Sequence, residues 1–437
     1  MKKSIMTLLL CAATLPMAAQ TITLKECLER GLEKNYSILI TRGKEQIAHN
    51  NATRANAGYL PTLDFSGGYD LAGSNSTGEI AGSGTTEKKS SAPDHTARAS
   101  VDLNWTLFDG FKATTTYKQL KEMERMGERN TRIAVEDFIA TLTGEYYNFI
   151  QQRIRLKNYF YAVQLSKERL RIVEERYHIG NFSRLDYQQA KVDFNADSAR
   201  YVSQQEVVLT SRIALNELMA EEQVYTPLYT SDTTINVNAS LDFTELWNST
   251  LSDNAELLQA ASNNTLAELD YKKITARNYP YLKFNAGYDY GYNKYEKNTY
   301  SHRSSHGWNG GLTVGINLWD GNRRREKRNA KIEIANAELQ RKQLELALKA
   351  DLGNLWQAYR NNLELLNLEE QNLITARENH EIAKERYMLG DLSGFEIREA
   401  QQSLLDAEER LLSAQYKTKI CEISLMQISG KISKFLE

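Results

Sequence analysis

Proline is scarce in this chain. Five of 437 residues are Pro, roughly 1% against an average of about 5%. That excludes a Pro/Gly-rich all-β protein with frequent turns. Cysteine is scarcer: three residues, too few for a disulfide framework at this size. No apolar run approaches the ~20 residues a membrane-spanning helix needs. An excess of one charge is missing too. Lys plus Arg number 54 and Asp plus Glu 56, for a formal charge of −2. A phosphate-tracking surface needs a basic excess, so nucleic acid is not an expected partner. What is present is a polar chain, 41% hydrophobic and 25% charged, with mean hydropathy −0.55. Its aromatic content of 9% is too high for disorder. Length alone suggests about three domains.

The N-terminus reads Met1-Lys2-Lys3, then an apolar stretch from Ile5 to Leu15, then Pro16-Met17-Ala18-Ala19-Gln20. A positive start, a short apolar core and small residues at the end make a secretory signal peptide over residues 1–20. Removing Lys2 and Lys3 leaves a net charge near −4. The residue before Cys11 is Leu10, too large for a lipidation site. Two cysteines then remain, Cys27 and Cys421. A single bridge between them is one option. Cys421 as a small hydrophobe in a helical seam is the better one.

The chain repeats once. Pro61, Leu63, Phe65, Gly68, Tyr69 and Asp70 return as Pro280, Leu282, Phe284, Gly287, Tyr288 and Asp289, all 219 positions on. Leu32, Asn35 and Ala57 return as Leu251, Asn254 and Ala276 at the same offset. Leu107-Phe-Asp-Gly110 returns as Leu318-Trp-Asp-Gly321 at 211. Glu175-Arg-Tyr-His-Ile-Gly-Asn-Phe-Ser183 returns as Glu385-Arg-Tyr-Met-Leu-Gly-Asp-Leu-Ser393 at 210. Ordered matches with a slowly drifting offset mean tandem duplication. Repeat 1 covers 21–222, a linker 223–242, and repeat 2 243–437.

Each repeat has the same parts. Pro61 and Pro280 end a first helical stretch, because the residue before Pro is pushed out of the α region. After each the hydrophobic period becomes two. Leu63, Phe65, Tyr69 and Leu71 alternate with Asp64, Ser66, Gly68 and Asp70. Val101, Leu103, Trp105 and Leu107 alternate with Asp102, Asn104 and Thr106. Repeat 2 does the same at Leu282–Tyr292, where Lys283 and Asp289 take polar positions, and at Leu312–Leu318. These are hairpins at about 61–108 and 280–319, with polar loops at Gly73–His95 and Asn293–His306. Tyr and Trp near the strand ends favour membrane interfaces. A half-buried sheet in a soluble domain shares the alternation. Long Pro-free helices follow, at 112–179 and 322–389, with Asp109 and Asp320 as N-caps. At ~1.5 Å per residue each would span on the order of 100 Å.

Shorter helices come next, at 184–220 and 394–430. Ala400, Leu404, Ala407, Leu411, Ala414, Thr418, Cys421, Leu425 and Ile428 step strictly 4, 3, 4, 3. Ala190, Phe194, Asp197, Tyr201, Gln204, Val208, Ser211, Leu215 and Leu218 occupy the same ladder in repeat 1. A 3.5 period means coiled-coil packing. A thin seam holding Asp197 and Gln204 suits a wall wet on both faces.

In this order of parts the chain resembles the TolC family of outer-membrane efflux and secretion channels, over essentially its whole length. Four strands cannot close a barrel, and open edges are forbidden in lipid. Several chains must therefore contribute; two would give 8 strands and three would give 12. The resemblance implies a homotrimer: a 12-strand barrel in outer-membrane lipid, continued by a long periplasmic coiled-coil tunnel. It implies partners, namely a periplasmic adaptor and an inner-membrane pump of RND, ABC or MFS type. It also implies that the turns holding Arg176, Tyr177, Gly180, Ser183, Arg386, Tyr387, Gly390 and Ser393 form the periplasmic tip that meets the adaptor. Gly180 and Gly390 fit the φ > 0 position that ends a helix. Asp64, Asp70, Asp102, Lys283 and Asp289 would face the barrel lumen, below Pro61 and Pro280 at the helix-to-strand junctions.

The family carries an acidic pair six and nine residues after the second Gly, lining the closed entrance. Here these are Glu396 and Glu399, on one helix face; repeat 1 has Asp186 and Gln189. In a trimer such carboxylates would raise one another's pKa and attract cations. A Tyr and an Arg tie the family's coils shut. Tyr387 matches the first, but Leu392 stands at the Arg position, so the shutting contacts must differ, with Arg398 as a candidate. His302 and His306, in an expected exposed loop, read as surface residues and not as metal ligands. Arg323-Arg324-Arg325 reads as a solvated or phospholipid-facing cluster. No phosphate loop, activated nucleophile or ligand cluster is apparent, which points away from catalysis and from any metal or cofactor. The competing function is a periplasmic coiled-coil adaptor or scaffold without a pore. It has no use for paired lipid-facing hairpins.

Overall fold

A computed structural model describes residues 21–436 apart from 74, 80, 83, 85, 91–93 and 296–300. The expected leader, with Lys2, Lys3 and Cys11, lies outside the described residues, as does Pro93. In chain order the elements are β1 (Thr21–Ile22), α1 (Leu24–Lys34), α2 (Tyr36–Asn51), β2 (Thr62–Ala72), β3 (Asn75–Glu79), β4 (Thr86–Ser90) and β5 (Asp94–Phe108). Then come α3 (Lys112–His178), α4 (Arg184–Leu218), β6 (Tyr229–Thr230), α5 (Phe243–Asp253) and α6 (Ala255–Ala276). The chain closes with β7 (Tyr281–Lys294), β8 (His302–Gly315), α7 (Gly321–Leu389), α8 (Gly394–Ile428) and a short 3₁₀ turn (Ile432–Leu436). None of the described helices is long and apolar enough to cross a membrane.

The sequence repeats are not the units of packing. One unit takes the chain up to Arg42 with Asn130–Leu257 and Leu344 onward; the other takes Gly43–Arg129 and Leu258–Gln343. Each contains segments of both repeats.

The second unit is built on an antiparallel four-stranded sheet ordered β2-β5-β7-β8. Its strands outrun the expected ones. β5 starts at Asp94 and β8 at His302, so both loops are shorter than the composition suggested. His302 and His306 are strand residues, not loop residues. The first loop also contains a hairpin of its own, β3 with β4. The helix before β2 stops at Asn51, well short of Pro61; a turn closed by Tyr59 N–H to the Arg54 carbonyl, with Gly58 at φ 89°, fills the gap.

The first unit holds the main core: Leu28, Ile38, Ile139, Leu142, Tyr146, Leu215, Leu352, Tyr359 and Leu425 are all buried. Each such aliphatic side chain contributes about 1.5–3 kcal/mol by leaving water. The linker is ordered against this core. β6 pairs in parallel with β1, Tyr146 Oη donates to Asp232 at 2.8 Å, and the Asn238 N–H donates to Glu422 at 3.0 Å. Both described cysteines are free. Cys27 is fully buried, and burial pushes its thiol up to about 12.

The first helix of each repeat breaks at an Asn. Asn35 Oδ1 accepts from the Ser37 N–H at 2.9 Å, while its Nδ2 donates to the Leu218 carbonyl at 3.0 Å. Asn254 repeats the pattern, accepting from the Leu257 N–H and donating to the Ile428 carbonyl, both at 3.0 Å. One amide thus caps the start of α2 or α6 and the end of α4 or α8. Orphan N–H and C=O groups at two helix ends are satisfied together.

Candidate functional site

The helix tips lie in the first unit. The α3 and α7 C-termini close with the same two bonds. The Asn181 N–H reaches the Arg176 carbonyl at 2.8 Å and the Gly180 N–H the Tyr177 carbonyl at 3.0 Å. Asp391 to Arg386 at 2.9 Å and Gly390 to Tyr387 at 3.1 Å repeat them. Gly180 at φ 84° and Gly390 at φ 90° supply the left-handed residue, which a side chain would penalise. Ser183 and Ser393 then start α4 and α8 with reciprocal caps to Asp186 and Glu396.

That cap assigns Glu396 a job within its own chain. Its carboxylate accepts from the Ser393 N–H at 2.9 Å and the Ser393 hydroxyl at 2.7 Å. Within the single chain these bonds hold its pKa below the usual carboxylate value. Glu396 and Glu399 are both exposed. Asp186 is held by Ser183 in the same way, and Gln189 donates to Asp193 at 3.0 Å.

The two tips differ where the repeat alone would make them alike. Tyr387 is 3% exposed, and its hydroxyl has no partner among the described residues. Burial raises its pKa. The Arg176 guanidinium stands 5.7 Å from the Tyr387 ring and 5.5 Å from the Phe182 ring, and donates to the Met388 carbonyl at 3.1 Å. So repeat 1 clasps repeat 2 through Arg176. In the other tip Tyr177 stacks on Tyr187 with centroids 5.4 Å apart, and Arg386 is exposed.

Behind the tips sits a charge cluster. Asp197, on the α4 seam, is 2% exposed. It accepts two bonds from Arg398 of α8, at 2.6 and 2.8 Å. Asp193 pairs with buried Arg169 of α3. Burial and the nearby Arg398 pull the Arg169 pKa down, while Asp193 opposes them. The polar residues in the seam are therefore satisfied: Asp197 by Arg398, and Gln204 by Gln152 at 3.0 Å. Leu392 is partly buried and packs against the apolar cluster that contains Val173, Ala383 and Tyr387. The ladder spacing could have flagged Asp197 as needing a cation, but not which one.

In the second unit the sheet sorts its faces cleanly. Register puts Phe65, Val101, Tyr288 and Trp308 in one row, with Leu63, Leu103 and Ala286 in the next on that side. The opposite face carries rows such as Asp64–Asp102–Gly287–Asn309 and Ser66–Ser100–Asp289–Gly307. Asp70 and Lys283 share this polar face. It is knit by Ser100 to Asp102 at 2.7 Å and Asn309 to Asp289 at 2.8 Å. The outer edges of β2 and β8 have no strand partner among the described residues. At the Pro end of the sheet Trp105 donates to the Tyr59 carbonyl at 2.9 Å, and Phe108, Phe111 and Tyr279 meet edge to face. Among the described residues no His, Cys, Asp and Glu group could hold a metal.

The sequence profile described as Outer membrane efflux protein matches residues 28–221 and 246–431. The chain belongs to the outer membrane efflux protein family. The two matched stretches follow the duplication. Outer membrane protein TolC of Vibrio cholerae is 26% identical over 192 residues, a match spanning 42% of each chain. Among solved structures, the outer membrane channel CmeC of Campylobacter jejuni is 16% identical with a TM-score of 0.75, covering 93% of this chain and 85% of that one. The open state of the outer membrane channel MtrE of Neisseria gonorrhoeae is 14% identical with a TM-score of 0.74, covering 95% and 90%. This efflux-family chain is thus an outer-membrane protein with the fold of a TolC-type channel protomer: four strands of a β-barrel and a large helical part.

Proposed function

We propose that the protein is the passive exit duct of a tripartite efflux or type I secretion system. Three copies pair β8 of one with β2 of the next and close a 12-strand barrel. The apolar face meets lipid, and Asp64, Asp70, Asp102, Lys283 and Asp289 line the lumen. The tip turns at Gly180 and Gly390 form the periplasmic entrance and dock a periplasmic adaptor. An inner-membrane pump supplies the energy and chooses the cargo. The observation that carries this reading is the four-stranded sheet, one face apolar and one polar, with two open edges. Such edges are untenable in lipid unless other chains close them. A pore-free adaptor would have no need of that sheet.

At the entrance, Glu396 and Glu399 from three chains form an acidic ring that favours cations. The cap on Ser393 sets Glu396 in place, and Glu399 is one turn further on the same face. The Asp197–Arg398 and Arg176–Tyr387 contacts hold the tip shut where Leu392 cannot. Purified protein should require detergent, run as a trimer and conduct in a planar bilayer. A detergent-free soluble monomer refutes the duct. Replacing Glu396 and Glu399 by Gln should weaken cation selectivity and block by divalent cations; unchanged values refute the ring.

A further inference from the structure

Toward one end the apolar face gains polar side chains, first His306 and Ser304 on β8 and then a row across three strands. Register aligns His95 of β5 with Lys294 of β7, and Lys294 with His302 of β8. Alternation puts these three on the side of Val101, Tyr288 and Trp308, at the end of the sheet away from Pro61 and Pro280. Directly opposed residues in antiparallel strands have Cβ atoms about 5 Å apart. Three nitrogen-bearing groups therefore stand side by side. The fourth member of the row is Leu71, and none of the three forms an ion pair with a described carboxylate. Among the described residues Lys294 therefore has no counter-charge in this row.

Its depth says where the counter-charge comes from. Leu282 to Tyr292 rises about 33 Å along the strand at ~3.3 Å per residue. At a tilt of about 40° this spans roughly 25 Å, the height of the apolar band of an outer-membrane barrel. Lys294 is the next residue on that face. The row thus lies just past the band, at the level of the outer headgroups, beyond a girdle of Tyr69, Tyr290 and Tyr292. The rings are also held. Tyr69 Oη bonds His95 Nδ1, His302 Nδ1 meets Ser301 Oγ at 3.1 Å, and the His302 ring stacks on Tyr292. With Nδ1 engaged in both, Nε2 is the nitrogen left for an outside partner, and it donates in the tautomer where Nδ1 accepts.

We propose that His95, Lys294 and His302 form a docking row for the phosphorylated headgroup of an outer-leaflet lipid. Lys294 supplies the charge and the imidazoles supply flanking N–H donors. The acyl chains lie against Tyr292, Tyr288 and Trp308 below. The inference rests on the outer-membrane placement of the sheet and is independent of which pump drives the duct.

Native mass spectrometry of the purified full-length trimer tests it, with bis-phosphorylated lipid A as probe. Wild type should retain lipid A through detergent exchange, and the triple variant His95→Gln, Lys294→Gln, His302→Gln should retain about tenfold less. Lys294→Gln alone should lose about threefold, which covers a triple variant that fails to assemble. Arg303→Gln, at the same end but on the polar face, should behave as wild type. Dephosphorylated lipid A should be lost, and millimolar inorganic phosphate should not be retained in its place. Equal retention by wild type and Lys294→Gln, equal retention of dephosphorylated lipid A, or an equal loss in Arg303→Gln overturns the proposal. Planar-bilayer conductance of the same samples reads the duct separately, since the row lies outside the lumen.

Discussion

Single residues decide how the tips are held. Asp197 is a buried carboxylate in a helical seam, tolerable because Arg398 supplies two charge-assisted bonds. Removing one partner of such a pair leaves an uncompensated charge. Asp197→Ala should therefore destabilise the helical part by about 2–4 kcal/mol in denaturant unfolding, and Asp197→Leu with Arg398→Met should recover most of it. A double variant no better than the single would refute this account. His380 makes the pH case. It is 3% exposed on α7, and burial holds its pKa below the ordinary 6.5, with Glu381 opposing. A base with a lowered native pKa binds fewer protons folded than unfolded. Its stability contribution is complete above about pH 6.5 and is lost as pH falls toward the native value. His380→Gln should flatten the stability profile below about pH 6.5, read as the denaturation midpoint at each pH.

At the scale of elements, helix ends are the devices that matter most. Asn35 and Asn254 each cap two helices at once, so Asn35→Ala and Asn254→Ala should each cost about 1–2 kcal/mol. Asp at either site should restore only part, because it keeps the acceptor and loses the donor. Thermal unfolding of the four variants ranks them. Much of this level was legible in the sequence. Pro280 and the Arg-Tyr-x-x-Gly turns marked helix ends within a few residues, because Gly at φ > 0 and Ser caps are local chemistry, whereas α2 stops at Asn51, ten residues before Pro61. The joint at Asn35 was visible only as a repeated Asn, since the carbonyl it caps lies 183 positions away. The strand ends were missed in the other direction. His302 to Gly307 carries no apolar side chain on either face, so the period-two signal fades while the backbone ladder continues. The linker looked like a loop because its anchors, Tyr146 and Glu422, come from distant helices.

For the whole molecule, the two faces of the sheet make opposite demands on neighbouring residues. Val101→Lys places a charge on the apolar face and should cost about 2–4 kcal/mol of membrane stability. Ser100→Lys, one residue away on the polar face, should insert normally. Heat-resistant trimer recovered from bilayers measures both, and equal recovery contradicts the assignment of faces. Fold class and duplication were readable at this scale from order and offset. The charge cluster behind the tips was not, because it joins helices of both repeats and no single period contains it. The central pairing of the sheet has a consequence in time. β5 and β7 are neighbours in space, yet α3, α4, the linker, α5 and α6 lie between them in the chain. The ribosome has to deliver the linker and the opening helices of the second repeat before that ladder can start, and closing so long a loop is slow. Until then β2 and β5 can make only an isolated hairpin with its greasy side in water. During export such a hairpin needs an escort, and the barrel is among the last parts of the chain to mature.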